Sequence, residues 1–171
     1  MKKIRASIFE TNSSSTHSIS IKRGGQTTPT KIDKVYFGEF GWENRYFNNC
    51  YDKLSYLITS IRYFYPEEEV SGWLFRKEDD FEKNKKEIEK WMSENKHFQW
   101  LHEMVKEFTG QDFKVVLNDG CFYPMGYIDH QSSRVVNEYG IWSFSKETFK
   151  ENVKNFVFNN AYAVQTGNDN G

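Results

Sequence analysis

Phe9-Glu10-Thr11-Asn12-Ser13-Ser14-Ser15-Thr16-His17-Ser18 lies between two short apolar runs, 6–9 and 19–21. A strand, a tight polar loop and a second strand is the natural reading of that pattern. The loop carries Asn12, Ser13, Ser14, Ser15, Thr16, His17 and Ser18, with neither Gly nor Pro. Small hydroxyls and backbone N–H groups in such a loop cluster around an anion, or hold one another in a turn. His17 is the only side chain in it that exchanges a proton near neutral pH. Further β segments toward the other end, with helices between, predict a single α+β domain over 1–171. Its sheet is expected to be mostly antiparallel, with the central helices packed on one face and the first and last strands meeting or nearly so.

Outward from this hairpin, 22–30 contains Gly24-Gly25 and Pro29 and reads as a turn or exposed loop. Residues 34–40 alternate as a strand, Val35 and Phe37 on one face and Tyr36 on the other. Gly38 and Gly41 bracket Phe40, which suggests a bulge or a close backbone approach. Phe40 with Trp42 reads either as an aromatic platform or as core packing at a strand end. The clearest helix is 52–65: Leu54, Leu57, Ile58 and Ile61 share one face, and Pro66 stops it. A second helix over 79–95 carries Phe81, Ile88, Trp91 and Met92. A third over 96–109 carries Phe98, Leu101, Val105 and Phe108, with Gly110 placed to cap it. The two are also readable as one helix broken near Asn95.

A buried strand is expected over 113–117. Asn118-Asp119-Gly120 signals a hairpin turn and 121–127 a return strand. Residues 128–133 continue as strand or loop, and 134–137 and 140–144 offer two more β segments. Ser145 is a good N-cap for a helix over 146–156 with Phe149, Val153 and Phe156 inward. Residues 161–164 read as the closing strand and 166–171 as a polar tail.

The formal net charge of −1 supplies no global field to draw in nucleic acid or a membrane. The start of the chain is nevertheless basic, with Lys2, Lys3, Arg5, Lys22, Arg23, Lys31 and Lys34 against Glu10 and Asp33. Aromatic residues make up 18% of the chain, enough that some are expected on a surface where rigid rings make contact or stack. Cys50 and Cys121 fit no metal or redox spacing. Without a signal-peptide pattern or long apolar run, the expectation is a cytoplasmic protein with no membrane association.

The chain has no P-loop, dinucleotide glycine fingerprint, H-E-x-x-H, nucleophile elbow or kinase set. Any site is therefore assembled from distant segments. Three polar islands are candidates: 10–18, 129–133 and 166–170. His17 and His130 are the candidate catalytic residues. Asn12, Ser13, Ser14, Ser15, Thr16, Ser18, Ser132, Asn168 and Asp169 are the candidate ligand-binding residues. The histidines can bind phosphate, relay a proton, or ligate a metal with Asp129 or Asp169. On a strand, His130 and Ser132 share a face and Asp129 points away. His97 and His102 lie about 140° apart on a helix and make no metal pair. No metal or cofactor is assigned, and catalysis is left open.

The F-E-T-N-S-S-S-T-H-S stretch resembles the N-terminal signature of an uncharacterised group of phage, prophage and bacterial proteins. Gly38-Glu39-Phe40-Gly41-Trp42-Glu43, Lys53-Leu54-Ser55-Tyr56-Leu57, Gly126-Tyr127-Ile128-Asp129-His130-Gln131-Ser132 and Thr166-Gly167-Asn168-Asp169-Asn170 are similar to that group as well. The resemblance spans nearly the whole chain and implies a phage or mobile-element source, hence host cytosol, with no established activity. Two functions are consistent with these features. One is recognition, with or without processing, of a phosphate-bearing ligand such as a nucleotide or nucleic-acid phosphate. The other is a non-enzymatic inhibitor or adaptor that binds a host defence protein, a counter-defence factor of anti-CRISPR type. The first requires the islands to converge in a concave pocket, the second an exposed aromatic patch away from them.

Overall fold

The computed structural model describes residues 2–3, 15–40, 45–64, 81–118, 123–128 and 145–168. The predicted strands at 6–9, 134–137 and 140–144 fall outside them. The described residues form an α+β fold of four helices and eight strands. The strands are β1 (Lys2–Lys3), β2 (Ser15–Ile21), β3 (Lys34–Tyr36), β4 (Glu39–Phe40), β5 (Arg45–Phe47), β6 (Lys114–Val116), β7 (Tyr127–Ile128) and β8 (Tyr162–Asn168). The helices are α1 (Cys50–Phe64), α2 (Phe81–Glu94), α3 (Lys96–Thr109) and α4 (Lys146–Phe158).

The main sheet is antiparallel with the order β1-β2-β8-β5. The two ends of the chain thus meet: β2 and β8 pair over seven residues, from Ser15↔Asn168 to Ile21↔Tyr162. β5 pairs on the other side of β8, from Arg45↔Thr166 to Phe47↔Val164. Ile19, Val164 and Phe47 form one row across three strands, all buried. Two parallel pairs, β3-β6 and β4-β7, stand beside this sheet. They replace two expectations. The strand read over 34–40 is broken at Phe37-Gly38, and its halves take different partners. Residues 113–117 and 123–128 do not pair as a hairpin, because β3 takes β6 and β4 takes β7. The glycine explains the break: a Cβ on Gly38 would lie 2.5 Å from the Phe40 ring and 3.0 Å from Ser55 Oγ.

α1 is the centre of the molecule. Leu54, Leu57, Ile58 and Ile61 are buried as their spacing predicts, but so is every other residue between Lys53 and Ile61. Its polar groups are therefore bonded. Ser55 Oγ donates to Tyr36 O at 2.6 Å, and Thr59 Oγ1 accepts the Gly38 N–H at 3.1 Å while donating to Ser55 O. The Tyr36 backbone also hydrogen-bonds the Tyr51 hydroxyl. Tyr51, Ser55 and Thr59, four residues apart, thus form a stripe that serves the edge of β3 as a neighbouring strand would.

α2 and α3 are separate helices, as Asn95 Oδ1 caps α3 by accepting the Phe98 N–H and Gly110, at φ 72°, closes it. Phe81, expected on the inner stripe of α2, is exposed. Ser145 caps α4, whose Phe149, Val153 and Phe156 are buried. The loop after β2 is tied to the end of α4 through Lys22 N–H to Ala161 O, Thr28 N–H to Phe158 O, and Thr27 Oγ1 to Asn155 Oδ1. None of the described helices is long and apolar enough to cross a membrane.

Candidate functional site

Asn12, Ser13, Ser14, His130, Ser132 and Asp169 lie outside the described residues. Ser15, Thr16, His17 and Ser18 are not a loop but the first half of β2. Asn168 is the last residue of β8, where a tail was expected. The reason is pairing: a ladder is held by backbone bonds, so two polar segments in register extend it without apolar side chains. Two of the three polar islands are thereby joined, Ser15 opposite Asn168, Thr16 opposite Gly167 and His17 opposite Thr166. Thr166 also pairs with Arg45. The register row His17–Thr166–Arg45 lies two residues from the row Ile19–Val164–Phe47, and Thr166 and Arg45 share the face of Val164 and Phe47.

Arg45 leads from this row into a cleft of about 460 Å3. The cleft lies where β3 ends and α1 begins, bounded by β4 and β5, with Asn118 from the end of β6. It thus sits at the carboxyl end of the β3-β6 parallel pair. Beneath it Phe40, Phe47 and Tyr56 pack ring on ring, with centroids 5.0 to 5.9 Å apart. Phe40 is thus a core residue rather than an exposed platform, and burial raises the Tyr56 hydroxyl far above its usual pKa. Trp42, its proposed partner, is outside the described residues. The exposed rings are Tyr36 and Tyr51, 39% and 37% accessible. Burial raises the Tyr51 pKa, while its bond from the Tyr36 backbone acts in the opposite sense.

The polar groups of the cleft are Arg45, Glu39, Asp52, Ser55 and Asn118. Arg45 Nη1 donates to Glu39 O at 3.3 Å and its guanidinium stands 5.8 Å from the Phe40 ring centroid. Glu39 Oε1 accepts the Tyr123 N–H at 2.8 Å. Asp52 Oδ2 accepts from Asn49 Nδ2 at 2.6 Å, and Asn49 Oδ1 accepts the Asp52 N–H at 2.8 Å. This reciprocal pair secures the first turn of α1. The polar residues of the cleft are thus fixed by backbone contacts and neighbours before any ligand arrives.

A second concavity of about 540 Å3 lies between α3 and α4. Its charges are paired with one another: Lys146 with Glu103 at 2.6 Å, and Lys150 with Glu107 at 2.5 Å and Glu103 at 3.7 Å. The bond from Lys146 holds the Glu103 carboxyl below its usual range. This groove is a seam between helices. His97 and His102 occupy different surroundings: His97 packs on Trp100 and Phe149, and a His102 ring nitrogen lies 3.3 Å from Phe113 O. Among the described residues no group of three or more His, Cys, Asp or Glu is placed to hold a metal ion.

Sequence reasoning missed Arg45, Tyr36, Tyr51 and Asp52 as lining residues. The only signal for them was the sequence Tyr51-Asp52 at the start of the strongest helix, just after Arg45-Tyr46-Phe47. The chain matches no protein-family model, no curated protein and no solved structure, so the case for its function rests on the cleft and the row that leads into it.

Proposed function

We propose that the protein recognises a phosphate-bearing ligand such as a nucleotide, in the cleft at Arg45 and along the row His17–Thr166–Arg45. The observation that carries this reading is that row, which connects the hydroxyl-rich Ser15–Thr16–His17–Ser18 segment to a ligand-sized cleft. Arg45 supplies the guanidinium that pairs with phosphate oxygens. Tyr36 and Tyr51 supply exposed faces on which a base stacks, with Tyr51 held by the Tyr36 backbone. In this reading a protonated His17 balances ligand charge, and His130, Ser132, Asn168 and Asp169 complete the surroundings of the phosphate.

The alternative, an inhibitor or adaptor for a host defence protein, requires an aromatic patch away from the polar segments. Of the exposed large apolar or aromatic side chains among the described residues, Tyr36 and Tyr51 line the cleft, while Tyr46 alternates to the other face of β5 and Phe81 lies on α2. That distribution favours the ligand site. Isothermal titration of the purified protein with AMP tests it. Arg45→Ala and His17→Ala are each expected to weaken binding by about tenfold or more with melting unchanged. Equal affinity in both variants, or loss of binding only where the fold is lost, would overturn the reading.

A further inference from the structure

A base lying on the tyrosine rings is read at its edge, and the strand pairing shows which side chain stands there. Tyr36 on β3 is opposite Val116 on β6 in a parallel register. Asn118 follows Val116 by two residues, so its side chain leaves the chain on the side of Tyr36. Burial follows the same alternation. Val35, Phe37 and Leu117 are buried, whereas Tyr36 is exposed, Asn118 is half-buried, and both line the cleft. The Asn118 N–H donates to Pro124 O at 2.8 Å, which fixes the residue beyond the end of β6. The Tyr51 hydroxyl is bonded to the Tyr36 backbone, so both rings and the Asn118 amide meet in one part of the cleft.

The amide is also uncommitted. Ser55 Oγ donates to Tyr36 O, Glu39 Oε1 accepts the Tyr123 N–H and Asp52 Oδ2 accepts from Asn49. The Asn118 side chain makes no hydrogen bond among the described residues, and it carries a donor and an acceptor side by side. That pair matches the N6 amino group and N7 of adenine, which an Asn amide takes in two hydrogen bonds at once. Guanine presents two acceptors, O6 and N7, on the same edge, so one of them would face the amide oxygen. Resting on the nucleotide reading above, we infer that Asn118 is a specificity-determining residue that reads the base and selects adenine over guanine.

Titration calorimetry with AMP, GMP and purine riboside 5′-monophosphate, which is AMP without its amino group, tests this. AMP is expected to bind at least about tenfold more tightly than either. Asn118→Ala keeps the backbone bond to Pro124 O. It should therefore melt as the wild type does, bind the purine nucleotide as before and lose most of the preference for AMP. GMP or the purine nucleotide binding as tightly as AMP, or a preference unmoved in Asn118→Ala, would overturn the role of Asn118 and leave the nucleotide site standing. No binding of any of the three by folded protein would instead end the nucleotide reading.

Discussion

Lys53 is a lysine placed where only its ammonium head is useful. Its Nζ donates to Asn159 O at 2.9 Å and Tyr162 O at 3.4 Å, just past the C-terminus of α4, with the Phe156 ring centroid 6.0 Å away. A helix C-terminus favours a cation. Burial opposes it and pushes the amine down from 10.5 to about 8, with Cys50 acting in the opposite sense. The unfolded chain keeps this proton up to about pH 10.4. Between those values the unfolded state is protonated and the folded state is not. The cost of the buried charge is therefore complete below about pH 8 and relieved as pH rises through the window. Denaturant midpoints at pH 7, 9 and 10 should show the wild type gaining stability relative to Lys53→Met, and parallel curves would mean the charge is not destabilised. Gly25 makes a second test at this scale. A Cβ there would lie 2.1 Å from the Ala161 Cβ and 2.3 Å from Asn159 Oδ1, so Gly25→Ala should lower stability by about 1–3 kcal/mol in thermal or urea unfolding.

At the scale of elements, α1 dominates. Leu57 is fully buried, and Leu57→Ala should cost about 2–5 kcal/mol in urea unfolding; an unchanged midpoint would contradict its place in the core. Thr59→Val keeps the shape but leaves the Gly38 N–H without its acceptor, at a cost of about 1–3 kcal/mol. These two side chains mark the limit of what the sequence made legible. The period of Leu54, Leu57, Ile58 and Ile61 identifies the helix and its apolar face, and Ser145 and Gly110 mark helix ends, because such signals are local. The hydroxyl stripe of Tyr51, Ser55 and Thr59 was not legible, since its meaning depends on β3 lying alongside. Nor was the break at Gly38, which follows from the Phe40 ring and Ser55 closing on the backbone.

The whole molecule is tied together where β2 meets β8. That the ends would meet followed from strands flanking a helical middle. The extent of the pairing did not, because Ser15–Ser18 and Thr166–Asn168 carry no apolar alternation and read as loop and tail. The described part of the candidate site became visible only through this register, which aligns His17 with Thr166 and Thr166 with Arg45. If β8 is a central strand to that point, the Thr166 amide should be protected from hydrogen exchange much as Val164 is. Exchange at the rate of an unstructured tail would contradict the register. The site itself is tested most directly by amide chemical-shift mapping of the labelled protein during titration with AMP. The expected shifts cluster on Tyr36, Gly38, Arg45, Tyr51, Asp52, Asn118 and Thr166; shifts confined to the groove between α3 and α4, or none at saturating AMP, would contradict the assignment.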